Sequence, residues 1–153
     1  MNLSDKEQSF IETAETRIRS HARERRDVAL FDKLYAIVQS ETGKIYEGIP
    51  FETSMSQFDF CAERHAINNM QYAETEKTNV DMIIIAGPAP NDEATITMPC
   101  GACRHAINQF SEDATVFCSN FVRESTGWTI FPRLKRFTAT ELYPHHEPVP
   151  SWE

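Results

Sequence analysis

The run VDMIIIAG, from Val80 to Gly87, constrains the architecture more than any other stretch of the chain. A segment this short and this uniformly apolar suits a strand covered on both faces, and it falls far short of a bilayer span. A strand buried on both sides needs neighbours in a sheet and helices above and below. The chain has enough material for that. Its 153 residues, 41% of them hydrophobic, fit one domain, 1–153, with a core of its own and are too few for two ordinary domains.

The flanking segments supply the layers. Ser4 followed by Glu7 reads as a capping box, and Phe10, Ile11, Ala14, Ile18 and Ala22 recur at helical spacing, which predicts an amphipathic helix over about 4–25. Residues 28–38 and 44–51 are rich in β-branched and aromatic side chains and flank the turn-like SETG, which predicts a hairpin. After the polar loop ETSMSQFDF, the segment CAERHAINNMQYAET predicts a second helix, with apolar spacing at Ala62, Ala66, Ile67 and Met70. The loop PAPNDEATITM leads to a third helix over about 100–110, and ATVFCSN and GWTIF are two further strands. One helical turn in ATELYP is expected before a proline-broken, irregular tail from about 144. The order helix, two strands, helix, strand, helix, strand, strand predicts an α/β fold: a three-layer α/β/α sandwich around a mixed sheet of about five strands.

Charge and termini exclude several function classes. The net charge is −8, and the basic residues are scattered apart from HARERR, which suits the solvated end of the first helix. A nucleic acid is therefore not expected as a partner. The opening MNLSDKEQSF has neither a basic start nor an apolar run, so no export or membrane association is expected and the location is read as cytoplasmic. In that setting Cys61, Cys100, Cys103 and Cys118 are free thiols or metal ligands rather than disulfide partners.

Three of these cysteines fall at the starts of helices, where unpaired N–H groups and the positive dipole end favour thiolates. Cys100 and Cys103 share one face of a first turn; Pro99 suits the helix entrance and Gly101 leaves room beside a ligand. Three thiolates from two helix ends make a tetrahedral zinc site with one open corner, the arrangement of catalytic rather than structural zinc. Glu63, two residues after Cys61, can face that corner and carry a proton from a bound water. Alternatives stand beside this: a structural site closed by His65, His105 or Cys118, a thioredoxin-like dithiol in CGAC, and Cys118 as an inert buried strand residue. Phe51, Phe58 and Phe60 either stack on a ring or fill the core.

Cys61-Ala62-Glu63-Arg64 and Pro99-Cys100-Gly101-Ala102-Cys103-Arg104 closely resemble the two signature motifs of the zinc-dependent cytidine deaminase family, in the three-cysteine form of its small homotetrameric members. GKIYEG resembles the family's second strand and TATELYP its C-terminal turn. The resemblance implies a Zn²⁺ ion on Cys61, Cys100 and Cys103, and hydrolytic deamination of cytidine or deoxycytidine with release of ammonia. It also implies that Glu63 shuttles protons, that the Ala62 N–H holds the ring carbonyl, and that the Met98 carbonyl accepts from the amino group. Arg64, assisted by Arg104, would donate to the sulfurs, and neighbours in a homotetramer would complete one another's pockets.

Two departures bear on the substrate. Glu52 matches the glutamate of the family's sugar-holding Asn-x-Glu, but Pro50 stands at the Asn position. The first strand reads DKLYAIV, with Tyr35 near an expected Gly. These departures motivate a second substrate class, another aminated heterocycle such as a blasticidin S-type nucleoside or a modified nucleoside. A non-catalytic, zinc-stabilised binding module is the alternative of a different class.

Overall fold

The apolar run forms the middle strand of a five-stranded sheet, hydrogen-bonded on both sides. The computed structural model describes residues 1–24, 34–88, 96–124 and 127–145, with side chains left aside at 22–24, 123, 124, 127 and 128. In chain order the elements are α1 (Asp5–Glu24), β1 (Tyr35–Ser40), β2 (Ile45–Gly48), a 3₁₀ turn (Ser56–Phe58), α2 (Ala62–Ala73), β3 (Val80–Pro88), α3 (Gly101–Phe110), β4 (Thr115–Glu124), β5 (Gly127–Thr138) and α4 (Ala139–Leu142). The strand order is β2-β1-β3-β4-β5. Only β3 and β4 run parallel, and α3 makes the crossover that a parallel pair requires.

Alternation along the central strands divides the core into two layers. Ile83 and Ile85 of β3, Ala36 and Val38 of β1, and Val116 and Cys118 of β4 face α2 and α3. Met82, Ile84 and Ala86, with Ile37 and Phe117, face Phe10, Ile11, Ala14 and Ile18 of α1. This is the expected three-layer sandwich. Each fully buried Ile or Phe contributes about 1.5–3 kcal/mol, so both helical layers are held by the sheet rather than by helix propensity. The Ser4–Glu7 capping box forms as read, with Ser4 N donating to Glu7 Oε2 at 2.8 Å and Glu7 N to Ser4 Oγ at 3.2 Å. Ala22 lies outside the described side chains.

The hairpin is present with shorter arms than the composition suggested. Its first strand begins at Tyr35, residues 28–33 lying outside those described, and Gly43 turns the chain at φ +87°. Its second strand ends at Gly48 because the chain there dives under α2: a Cβ on Gly48 would collide with the carbonyl of Ala62 and the amide of Ala66. Pro50 then offers no N–H to a ladder, and Phe51 pairs with Phe60 in an isolated bridge. At the other edge β4 and β5 are longer than read. β5 runs through Pro132, which an edge strand tolerates at a bulge; Phe131 has φ +56° and the register shifts between Ser119 and Phe121. α4 is the predicted turn, capped reciprocally by Thr138 and Glu141, and residues 146–153 lie outside those described. Among the described residues no helix is long and apolar enough to cross a membrane.

Candidate active site

Two helix N-termini on the same face of the sheet carry the reactive side chains. Cys61 and Cys100 are N-caps with extended backbones, and their carbonyls accept the first helical bonds, from His65 N at 3.2 Å and Arg104 N at 2.9 Å. Neither side chain caps its own helix, which leaves the sulfurs to meet each other. The α2 end is placed by the close approach of Gly48. The α3 end follows the C-terminal end of β3, the usual position of ligand sites in α/β sheets, and Thr97 N donates to Ser119 O of β4 at 3.1 Å.

Cys61 Sγ lies 3.7 Å from Cys100 Sγ, and the sulfurs of Cys61, Cys100 and Cys103 all lie within 4.8 Å of one another. Zinc–sulfur bonds of about 2.3 Å in tetrahedral geometry place sulfurs about 3.8 Å apart, so the donor set fits one zinc ion. Cys103 is buried, Cys61 half-buried and Cys100 exposed. Among the described residues no fourth His, Cys, Asp or Glu joins the cluster. The groups considered for closing it are engaged elsewhere. His65 Nδ1 sits 2.9 Å from the Ile49 carbonyl with its ring edge-on to Phe60, and exposed His105 packs against Tyr143. Cys118 is fully buried in β4, where burial pushes its thiol up to about 12.

Glu63 is 3% exposed, and its Oε2 has no hydrogen-bond partner. Burial holds its carboxyl above the usual carboxylate range. The three cysteines do not respond alike to their helix ends. Burial pulls the Cys100 thiol up, but the N–H groups of Cys103 and Ala102 and the adjacent thiols outweigh it, and the net shift is downward. Cys103 departs from the expectation of easier ionisation: burial first, then the Glu63 charge, push its thiol far above the ordinary value.

Arg64 Nη2 donates to Cys61 Sγ at 3.7 Å, and that bond heads the causes that raise the guanidinium's pKa. Arg104 differs from the expectation of a donor to sulfur. Its Nε donates to Pro99 O at 2.9 Å and its Nη1 to Leu142 O at 3.4 Å, which ties the loop before Cys100 to α4.

A cavity of about 300 Å³ reaches Cys61 and Cys100 of this cluster, and Ala62, Glu63, Arg64, Pro50, Glu52 and Met98 are among the residues that line it. A larger cavity of about 430 Å³, around Arg17, Tyr35 and Asn69, contains none of the sulfurs and is not the reactive one. Ala62 is the first residue of α2 and fully buried; its N–H belongs to the unpaired first turn. Met98 is 37% exposed and Glu52 exposed. Sequence reasoning overlooked Leu34 and Asp59, which also line the cavity. Asp59 Oδ1 accepts from Thr53 N at 2.6 Å and Thr53 Oγ1 at 3.0 Å, closing the loop that carries Phe60 into the wall. A six-residue Thr-to-Asp closure matches no short capping pattern, so no local signal marks it.

A family model described as the cytidine and deoxycytidylate deaminase zinc-binding region matches residues 5–119, from α1 into the first half of β4 and across both cysteine motifs. The chain belongs to this deaminase family. Solved deaminases share its fold. A cytidine deaminase from Burkholderia pseudomallei superposes with a TM-score of 0.66 at 22% identity, covering 94% of this chain and 98% of that one. Cytidine deaminases from Mycobacterium leprae (TM-score 0.54, 16% identity, 90% and 97% covered) and Bacillus anthracis (0.53, 17%, 87% and 89%) are also similar. The family match ends at residue 119, so the deaminase chain's β5 and α4 lie beyond it.

Proposed function

We propose that this chain hydrolytically deaminates a cytosine nucleoside, cytidine or deoxycytidine, to the uridine nucleoside and ammonia, with Zn²⁺ held by Cys61, Cys100 and Cys103. One juxtaposition carries the proposal: a buried carboxylate with an unpartnered oxygen, Glu63, on the same helix turn as one of three sulfurs spaced for a single ion. Bound zinc supplies Lewis-acid activation of water. Glu63 takes one proton from the water and gives it to the ring nitrogen, then takes the second from the hydroxyl added to the ring carbon and gives it to the departing amine. Both protons of the water are thereby accounted for, in the ring N–H and in ammonia. A carboxyl held above its usual range by burial suits that shuttle.

The remaining roles are positional. The first-turn N–H of Ala62 holds the ring carbonyl, and the Met98 carbonyl receives the amino group. Glu52 accepts from a sugar hydroxyl, a charge-assisted bond. Arg64 offsets the negative charge that three thiolates concentrate on the site. Homotetramer assembly belongs to the same proposal.

Pro50 favours a second substrate class. It lines the cavity and has no side-chain donor or acceptor for a sugar hydroxyl, which suits another aminated heterocycle.

The test is ammonia release from the zinc-loaded protein over cytidine, deoxycytidine and other amino-pyrimidines and purines, repeated with Glu63→Gln. The variant is expected to keep its zinc and lose about 10²–10⁴-fold in rate. Turnover confined to a ring other than cytosine nucleosides would select the second class. Absence of turnover on every compound would leave a zinc-stabilised binding module.

A further inference from the structure

His65 does not join the sulfurs; its imidazole is turned toward the chain that lines the reactive cavity. Pro50, Phe51, Asp59 and Phe60 all line that cavity, and all lie on the connection between β2 and α2. Two backbone bonds close this connection on itself, Phe51 N donating to Phe60 O at 2.9 Å and Phe60 N to Phe51 O at 3.1 Å, and the two rings stack with centroids 5.1 Å apart. His65 meets the connection at both ends. Its Nδ1 lies 2.9 Å from the carbonyl oxygen and 3.3 Å from the amide nitrogen of Ile49, the residue before Pro50. Its ring stands edge-on to Phe60, with centroids 6.0 Å apart and planes 87° apart. Either neutral tautomer holds Ile49: a protonated Nδ1 donates to the carbonyl, and a bare one accepts from the amide.

The place of His65 in α2 gives these contacts a consequence for the substrate. Cys61 caps the helix, Glu63 and His65 lie in its first turn, and His65 N donates to Cys61 O at 3.2 Å, so the imidazole is fixed relative to the sulfur and the carboxylate. Among the described residues, His65 lines the larger cavity and not the reactive one, so it reaches a substrate through Ile49 and Phe60 rather than by touching it. One turn further on, Asn69 Nδ2 donates to Glu47 O at 2.8 Å, a bond of the same kind to the same run of backbone. Glu47 also lines the larger cavity and not the reactive one. The bond of His65 thus adjoins the stacked pair, and that of Asn69 does not.

We propose that His65 is a positioning residue: by holding Ile49 and Phe60 it sets how far the Phe51–Phe60 pair stands from Cys61 and Glu63, and with that the affinity for the substrate. The proposal rests on the deaminase function above and adds a residue to it.

Steady-state ammonia release from cytidine by the zinc-loaded protein tests it, in the wild type and in His65→Ala, His65→Asn, His65→Phe and Asn69→Ala. His65→Ala is expected to retain its zinc and to raise KM about threefold to tenfold, the usual net contribution of one hydrogen bond, with kcat changed by less than about twofold. The asparagine carries its amide on Cγ, where the imidazole carries Nδ1, and should recover most of the loss. The phenylalanine keeps a ring for Phe60 but has no polar atom for Ile49, and should recover little. Asn69→Ala should lower Tm about as much as His65→Ala and leave KM unchanged. Amide hydrogen exchange at Phe51 and Phe60 needs no substrate: it should quicken in the alanine and phenylalanine variants of His65 and stay as in the wild type in His65→Asn and Asn69→Ala.

An unchanged KM or unchanged exchange in His65→Ala, equal recovery by asparagine and phenylalanine, or an equal rise of KM in Asn69→Ala overturns the positioning role while leaving deamination intact. Where the alanine variant fails to fold, the comparison of asparagine with phenylalanine decides. Absence of ammonia release from cytidine by the wild type overturns the deaminase function and this proposal together.

Discussion

The guanidinium of Arg64 lies against the sulfur of Cys61, with Nη2 3.7 Å from Sγ, three residues along the opening turn of α2. A donor on a metal-binding thiolate draws off part of its charge and fixes its direction. Arg64→Ala should weaken zinc binding about 10–100-fold in competition with a chromophoric chelator, and Arg64→Lys should recover part of the loss. Undiminished affinity in the alanine variant would remove Arg64 from that role.

Zinc affinity should fall as pH falls. Burial and the Glu63 charge hold the Cys103 thiol far above its ordinary value, so without metal it keeps its proton at neutral pH. Binding must expel that proton, and lower pH strengthens the competition, by about tenfold in apparent affinity per pH unit for each proton displaced. Cys100, shifted downward, gives up its proton more readily. Calorimetry in buffers of different ionisation enthalpy should show proton release at pH 7; its absence would mean that the metal-free cluster is already fully ionised.

Gly48 has no room for a side chain, because a Cβ there meets the Ala62 carbonyl and the Ala66 amide rather than a flexible group. Gly48→Ala should cost about 1–3 kcal/mol, the usual range for overpacking. For a chain of this size that lowers Tm by about 2–4 °C per kcal/mol. Since α2 carries Cys61 and Glu63, the same change should reduce zinc affinity. A variant with unaltered Tm would show that β2 can retreat from the helix.

Glu74, the C-cap of α2, accepts from Thr42 at 2.7 Å, Ser40 at 2.8 Å and Tyr46 at 3.1 Å, tying the helix to the β1–β2 hairpin. These bonds, that from Thr42 foremost, lower its pKa. A depressed folded-state pKa adds stability that is present above the unfolded value of about 4.3 and is lost as pH falls through the folded value. Urea midpoints of wild type and Glu74→Gln should therefore differ at neutral pH and converge in acid. A gap that persists below about pH 3 would mean that packing, not charge, holds the clamp.

The layers were legible because their signals are local. The run at 80–87, the stripe of Phe10, Ile11, Ala14 and Ile18, and the Ser4–Glu7 box each fall within one or two turns or one strand, and each formed as read. Cys61, Cys100 and Cys103 were nominated for the same reason: a short helix start limits where a sulfur can point. The extent of β5 was not legible, because Pro132 reads as a break and only pairing with β4, across a bulge at Phe131, carries the strand past it. The bonds of Arg104 were not legible, because sequence spacing cannot tell a sulfur from the carbonyls of Pro99 and Leu142, the latter 38 residues away.

By itself the chain's order of residues determined the periodicities, the caps and the chemical type of each donor, all set by bonds within a few residues. Tertiary structure alone decided which donors meet and how each behaves. Cys61 and Cys100 are 39 residues apart in the chain and 3.7 Å apart at sulfur, and Cys100 and Cys103, on one helix turn, shift in opposite directions. The physical reason is that proximity and desolvation depend on what packs against a group from distant segments, here β2 beneath α2 and Glu63 beside Cys103, and no local pattern encodes that.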